Sequence, residues 1–396
     1  MQPSARITEM NESATIKMDQ LARDLKAKGQ NVISLSLGEP DFDTPDYIKE
    51  AAWEALKQGH TKYTPVPGKM ELREAIARKF REENGLHYSP EQIVVSNGAK
   101  QSIANVCLSM LNPGDEVILF SPYWVSYFEI VRLAGAIPVE LFAGIENDYK
   151  VSPEQLEEAI NKKTRLIIFS SPCNPTGSVF SEEELKALSR VILSHPNLMV
   201  LSDEIYEYIN FTGKHSSIGS FDGMAERAIT VNGFSKGFAM TGWRLGYMGA
   251  PLWLAKACAK MQGQFTSGAN AFSQMAAVTA LTSDMQEVRK MREVFAHRKE
   301  VVLKALSAIP GLTVNQPQGA FYVFAEASSL LGKKYNGSTI NSIDDFCLLL
   351  LEHKGVALVP GSAFGADNYL RISYAASESE LLEACSRIEA FIKTLR

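Results

Sequence analysis

Lys236 stands in the stretch Asn232 to Gly246, NGFSKGFAMTGWRLG. It follows an apolar run that reads as a strand, and it sits among glycines and other small residues. A lysine at a strand end is ordinarily a solvated side chain, since lysine is rarely buried. Its neighbours argue for more. Ser235 places a hydroxyl one residue before it, and Arg244 follows eight residues later with Gly242 and Gly246 around it. An amine, a hydroxyl and a guanidinium converging on one pocket suit a phosphorylated aldehyde. The lysine condenses with the carbonyl, and the arginine grips the phosphate through two parallel hydrogen bonds.

Other polar groups fall at the ends of apolar runs, and each has an ordinary structural use as well. Asp203, in LMVLSDEIYEY, ends a strand and would serve as a helix N-cap. Glu204 beside it points to the opposite face, because side chains alternate along a strand. Asn174-Pro-Thr-Gly177 has the composition of a plain turn. Ser96-Asn-Gly-Ala-Lys100 opens a helical stretch whose free N–H groups make a general anion site, without the spacing of a P-loop. The aromatics of Ser121 to Tyr127, Trp124 among them, are of a kind that usually fills a core. Arg371, in YLRISYA, would normally lie at a surface or edge, but its planar fork suits a carboxylate if it faces inward. Gly38, in LSLGEPD, would let backbone approach a ligand closely.

These residues need a scaffold that gathers strand ends. The apolar runs Glu116–Phe120, Pro138–Phe142, Arg165–Ser171, Leu198–Glu204, Ala228–Phe234 and Arg244–Ala250 alternate with helical patterns such as SEEELKALSRVILS, which opens on a capping box. That alternation predicts an α/β fold with a mostly parallel sheet covered by helices, which binds ligands beyond the carboxyl ends of its strands. Asp284 to Ile309 reads as one long amphipathic helix. Short strands (Phe321–Ala325, Val356–Val359, Tyr369–Tyr374) and helices (Ser342–Lys354, Glu378–Leu395) follow, giving a smaller α+β domain. The expected division is residues 1–45 as an arm that joins the small domain, 46–285 as the large domain, and 286–396 as the small domain.

Composition narrows the function. Of 396 residues, 40 are Lys or Arg and 45 are Asp or Glu, a net charge of −5 that argues against a polyanion or nucleic-acid binder. The longest apolar run, Phe346 to Leu351, is far short of the ~20 residues that span a bilayer. The opening MQPSARITEM lacks the apolar core of a signal peptide. Five cysteines, odd in number, widely spaced and without a CxxC pair, suit a reducing, cytoplasmic compartment and give neither a disulfide framework nor a metal site.

Gly233-Phe-Ser-Lys236 through Arg244-Leu-Gly246 resembles the cofactor-attachment motif of the class I and II aminotransferases, which use pyridoxal phosphate. The resemblance runs from about Ser13 to the C-terminal helix and looks closest to the bacterial aspartate aminotransferase branch. It implies the type I fold of pyridoxal phosphate-dependent transferases. It also implies Lys236 as the attachment lysine and base, Asp203 opposite the pyridine nitrogen, and Tyr206 and Asn174 at the phenolic oxygen. Trp124 would stack on the ring, and Gly98, Ala99, Ser235 and Arg244 would line a phosphate cup. Lys100 would meet either the phosphate or a distal carboxylate of the substrate. Arg371 would hold the substrate α-carboxylate, with Gly38 opposite. Tyr63, in KYTPVPG, matches a tyrosine that reaches the neighbouring subunit's cofactor, so a homodimer with shared sites is implied. Cys173 is expected to be a buried, inert thiol.

The implied reaction is ping-pong transfer of an amino group between an L-amino acid, aspartate first, and 2-oxoglutarate. A carbon–sulfur β-lyase, or an aromatic or alanine aminotransferase, would use the same residues. A cofactor-binding transcription regulator would need a basic DNA-binding domain ahead of this one. In relatives that accept prephenate a lysine precedes a Pro-Ser-Ala-Thr stretch. Here that stretch reads Asn11-Glu-Ser-Ala-Thr15, which argues against strong prephenate activity.

Overall fold

The structure, a computed structural model, describes residues 2–396. Its centre is a seven-stranded sheet of β1 (Ile93–Ser96), β2 (Glu116–Ser121), β3 (Ile137–Phe142), β4 (Thr164–Ser170), β5 (Met199–Asp203), β6 (Ala228–Gly233) and β7 (Gly246–Gly249), in the order β1-β7-β6-β5-β4-β2-β3. All pairings are parallel except those of β7, which runs antiparallel to both neighbours. The inner strands are buried on both faces, which is why they read as unbroken apolar runs. The edge strand β3 keeps exposed positions, among them Ile137 and Phe142.

This topology brings the chemistry together. From β2 the chain moves outward to β3, then returns to β4 on the other side of β2 and proceeds through β5 and β6. The loops after β2 and β4 therefore diverge and leave a crevice at the carboxyl ends. Trp124 follows β2, Asn174 follows β4, Asp203 ends β5 and Lys236 follows β6. Because β7 is antiparallel, the residues just before it lie at that same end, and so does the segment after β1. Ser96 and Gly233 both pair with Gly246, which sets Gly98, Arg244 and Lys236 side by side.

The helix Glu182–Ser194 begins where its capping box predicts. The Ser181 hydroxyl accepts from the Glu184 amide at 3.2 Å, and the Glu184 carboxylate accepts from the Ser181 amide at 2.7 Å. Most boundaries shift by a residue or a few, and two of the differences change the pairing. The run Arg244–Ala250 becomes strand only from Gly246, because Thr241–Trp243 forms a tight helical turn and Arg244 takes a left-handed φ of 53°. The run Val356–Val359 splits in two. Val356–Ala357 pairs parallel with Ile33–Ser34, whereas Val359–Pro360 pairs antiparallel with Tyr369–Ser373, which also pairs with Tyr322–Glu326. The long helix spans Gln286–Leu306. One apolar core joins Met18, Ala22, Val32, Ile33 and Leu35 from the N-terminal segment to Phe295, Leu303, Phe346, Leu350 and Phe391. Among the described residues no helix is long and apolar enough to cross a membrane.

Candidate active site

A cavity of ≈ 220 Å³ opens at the carboxyl ends of the sheet. Lys236, Asp203, Tyr206, Asn174, Trp124, Ser235, Arg244, Ala99 and Lys100 face it from the sheet side, and Gly38 and Arg371 face it from the chain's two ends. Gly98 lies just behind, where a Cβ would stand 2.5 Å from Nη2 of Arg244. Tyr63 does not join this cavity. It is fully exposed in the single chain.

The Lys236 ammonium donates to the Gly38 carbonyl at 2.5 Å, tying the sheet to the N-terminal segment. Its pKa is lowered to about 8, first by burial; Glu39 pulls it up, and Arg371 and Arg244 push it down. An amine in that range has an appreciable neutral fraction near physiological pH, as a nucleophile or base requires.

Asp203 is buried, with Oδ2 accepting from the Tyr127 hydroxyl at 2.6 Å and Oδ1 from the Ile205 amide at 3.2 Å. Burial raises its pKa to about 6, against those two hydrogen bonds. Its partners are a phenol and an amide rather than a cation, so the carboxylate is left short of positive charge. Glu204 faces the other way, as strand alternation requires. It accepts from His215 at 2.9 Å and Ser217 at 2.7 Å. Glu204, Glu207 and His215 bring ligand atoms within 4.8 Å of one another, but Lys79 already pairs with Glu207 there.

Arg371 shows the opposite imbalance. It is 1% exposed, donates to Asn174 Oδ1 at 2.8 Å and to the Ser36 carbonyl at 2.5 Å, and its Nε has no partner among the described residues. Its guanidinium carbon lies 4.5 Å from the Tyr322 ring centroid. A buried guanidinium bonded only to neutral groups calls for an anion. Near the other end of the cavity, Gly98 has a φ of 86° and caps the helix Ala99–Met110. A Cβ on Gly246 would strike the Ala99 amide, so these two glycines allow the helix N-terminus, the Arg244 guanidinium and the end of β6 to close on one small space. A helix N-terminus beside a guanidinium is an anion cup.

Lys100 is set over Trp124, with Nζ 4.9 Å from the ring centroid. Its pKa is lowered by partial desolvation and then by Arg244. The Tyr206 hydroxyl is 2.6 Å from that of Tyr322. Burial raises the Cys173 thiol pKa, although the residue keeps partial exposure and so is less enclosed than expected.

Tyr127 and Tyr322 were not among the expected site residues, yet both touch those that were. Tyr127 lay within the aromatic stretch already singled out, three residues beyond Trp124. Tyr322 becomes a neighbour of Arg371 only through the antiparallel pairing of two strands far apart in sequence. Thr15 also lines the cavity, with a buried hydroxyl that lacks a partner among the described residues.

An α/β sheet with an amine, a carboxylate and two guanidiniums at its switch point defines an enzyme of amino-group or carbonyl chemistry. The family model for aminotransferase class I and II matches residues 30–388, and the chain belongs to that family. It is 48% identical over 398 residues to the bifunctional aspartate aminotransferase and glutamate/aspartate-prephenate aminotransferase of Petunia hybrida, covering 99% of this chain and 83% of that protein. It is 46% identical over 389 residues to a probable aspartate/prephenate aminotransferase of Rhizobium leguminosarum, covering 97% of each. Among solved structures, the aspartate aminotransferase of Rhizobium meliloti superposes with a TM-score of 0.96 at 42% identity, over all of both chains. That of Thermus thermophilus with maleate superposes with 0.91 at 42% identity, over 98% and 99% of the two chains. The expected fold class and aminotransferase activity are thus established.

Proposed function

We propose that the protein is a pyridoxal phosphate-dependent aspartate:2-oxoglutarate aminotransferase, a cytoplasmic homodimer with shared active sites. The observation that carries this reading is the pattern of unmet charge in one cavity. Buried Asp203 lacks a cation, buried Arg371 lacks an anion, and Arg244 with the Ala99 helix terminus forms a second anion cup beside Lys236. A phosphorylated pyridine aldehyde and an α-amino acid supply the missing partners. The buried thiols of Cys107, Cys258, Cys347 and Cys385 suit a reducing compartment.

In this reading Lys236 holds the cofactor's carbonyl carbon, and Asp203 its ring nitrogen. Asn174 and Tyr206 hold the phenolic oxygen, and Trp124 covers the ring. Gly98, Ala99, Ser235 and Arg244 hold the phosphate, joined by Tyr63 of the neighbouring copy. When bound, the cofactor supplies an electron sink for charge that develops at the substrate's α-carbon. Arg371 exchanges its neutral partners for the substrate α-carboxylate and fixes it, which disfavours loss of carbon dioxide. Once the substrate's own amine has replaced it on the carbonyl carbon, Nζ of Lys236, already low in pKa, is free to take the proton from the α-carbon. Lys100 is placed to meet a second carboxylate, which favours aspartate. Gly38, whose carbonyl already holds Lys236, borders the substrate. The reading includes the domain division at residues 46 and 285, with closure of both chain ends over the substrate.

Several relatives are named for prephenate as well as aspartate. Prephenate is not part of this reading, because position 11 is a neutral asparagine whose amide donates to Glu129 at 3.1 Å.

A screen of amino donors with 2-oxoglutarate tests the proposal. Aspartate should be used best and yield an oxo acid only when the acceptor is present. Pyruvate and thiol released from a cysteine-type donor without acceptor would identify a β-lyase instead. Lys236→Ala should abolish turnover, and near wild-type turnover without added amine would overturn the assignment. Lys100→Ala should cost aspartate use selectively. An equal loss for all donors would assign Lys100 to the phosphate.

A further inference from the structure

We propose that Tyr127 is a positioning residue of the active site: its hydroxyl fixes the Asp203 carboxylate while its ring props Trp124, so one buried side chain sets two walls of the cavity. This rests on the roles of Asp203 and Trp124 given above.

The geometry is local on one side and long-range on the other. Tyr127 lies in the first turn of the helix Ser126–Leu133, and its amide donates to the Trp124 carbonyl at 2.9 Å. That turn brings the two rings together, edge to face, at 5.4 Å and 85°. The Tyr127 hydroxyl then reaches across to β5 and donates to Asp203 at 2.6 Å, the short distance of a bond to an ionised acceptor. Tyr127 has no exposed surface and packs in the core with Val117, Leu119, Val131 and Leu201. It cannot swing away, so the carboxylate it holds is fixed too.

Among the described residues no other side chain takes this place. Glu204 is the neighbour of Asp203 on its own strand, Lys236 faces it from beyond β6, Cys173 from beyond β4, and Tyr206 from the turn that follows. Of its hydrogen-bond donors among the described residues, only Tyr127 contributes a side chain; the other is the Ile205 amide. Ser170 pairs in register with Asp203, but its buried hydroxyl is turned to Tyr127 and Cys173 and makes no bond to the carboxylate. Burial and the Asp203 charge hold the Tyr127 phenol well above its ordinary pKa, so it remains a donor wherever the enzyme works.

Tyr127→Phe removes one oxygen and leaves the ring that meets Trp124. The cofactor-free full-length protein is titrated by infrared difference spectroscopy, with the Asp203 carboxyl band assigned by its loss in Asp203→Asn. The midpoint should rise from about 6 by about 1 to 2 pH units in Tyr127→Phe. It should stay in place in Ser170→Ala. An unchanged midpoint in Tyr127→Phe overturns the proposal.

Pyridoxal phosphate affinity provides a second measurement. Tyr127→Phe should weaken it by about tenfold when Asp203 is present and leave it unchanged in Asp203→Ala, where the hydroxyl has lost its acceptor. Equal weakening in both backgrounds places the effect elsewhere and overturns the proposal. Failure of the wild-type chain to bind pyridoxal phosphate would sink the functional reading instead, while the infrared midpoint still reports on Tyr127. If Tyr127→Phe does not fold, the near-ultraviolet tyrosine spectrum decides. Asp203→Asn should shift it, and absence of a shift overturns the proposal.

Discussion

At the scale of single residues, the site is held in electrostatic debt. Asp203 is forced into a setting where its protonated form is favoured, with a pKa raised from 3.8 to about 6 by burial. A raised carboxyl pKa favours folding fully only below the unfolded value. That contribution is lost as pH rises through about 6, and above it the cofactor-free protein carries a penalty of about 3 kcal/mol. Asp203→Asn keeps an acceptor for Tyr127 and removes the charge. The cofactor-free variant should therefore resist urea better than the cofactor-free wild type at pH 8, by up to that amount, and the difference should vanish near pH 4. The same variant should lose about a hundredfold or more in turnover. Equal stability of the two proteins at pH 8 would mean that Asp203 has found compensation elsewhere.

The residue types of this site were legible because several were unusual for their position: a lysine among glycines, an arginine on an apolar strand, an aspartate closing a run of aliphatics. Alternation along β5 separated Asp203 from Glu204 correctly. Tyr322 was not legible, since its nearness to Arg371 depends on the pairing of strands whose register no local pattern specifies.

At the scale of elements, the strand that ends in Asp203 is anchored from behind by a buried ionic network. Lys79, on the helix Met70–Asn84, pairs with Glu207 and donates to Asn84 Oδ1 at 2.7 Å. The Asn84 amide donates to Glu207 at 2.9 Å, and His215 and Ser217 serve Glu204. Two carboxylates are thus balanced by an ammonium and an imidazole. Burial alone would lower the His215 pKa, but the charge and hydrogen bond of Glu204 override it and the net shift is upward. Stability from that pairing is complete below about 6.5 and is lost as pH rises through the higher folded value. Lys79→Met should leave Glu207 buried and unpaired and cost about 3 to 5 kcal/mol in urea unfolding. A loss below about 1 kcal/mol, the range of exposed ion pairs, would show that water replaces the lysine. Element positions came through well in the sequence, because strands buried on both faces appear as continuous apolar runs. The Arg244 boundary did not, since the left-handed turn that delays β7 is imposed by closure around Gly98 and Gly246 rather than by residue preference.

At the scale of the whole molecule, Tyr63 is the residue that a single chain leaves unexplained. It is a large side chain with its full surface exposed, beside the groove formed by His60–Thr64 and Gly268–Phe272. Composition and spacing say nothing of a neighbouring copy, which is a matter of assembly symmetry; the expectation that Tyr63 serves one rests on the family resemblance alone. The shared-site reading has a strict consequence. Lys236→Ala and Tyr63→Ala homodimers would each be impaired at both sites. In a mixed dimer, one site would combine both defects and the other would combine Lys236 of one copy with Tyr63 of the other. Unfolding the two variants together and refolding them as a mixture should therefore restore activity toward about a quarter of the wild-type level, since half of the random dimers are hybrids with one intact site. If each chain completes its own site, mixing restores nothing beyond the average of the two separate preparations. A protein that sediments as a monomer at the assay concentration while fully active would remove the need for a neighbour altogether.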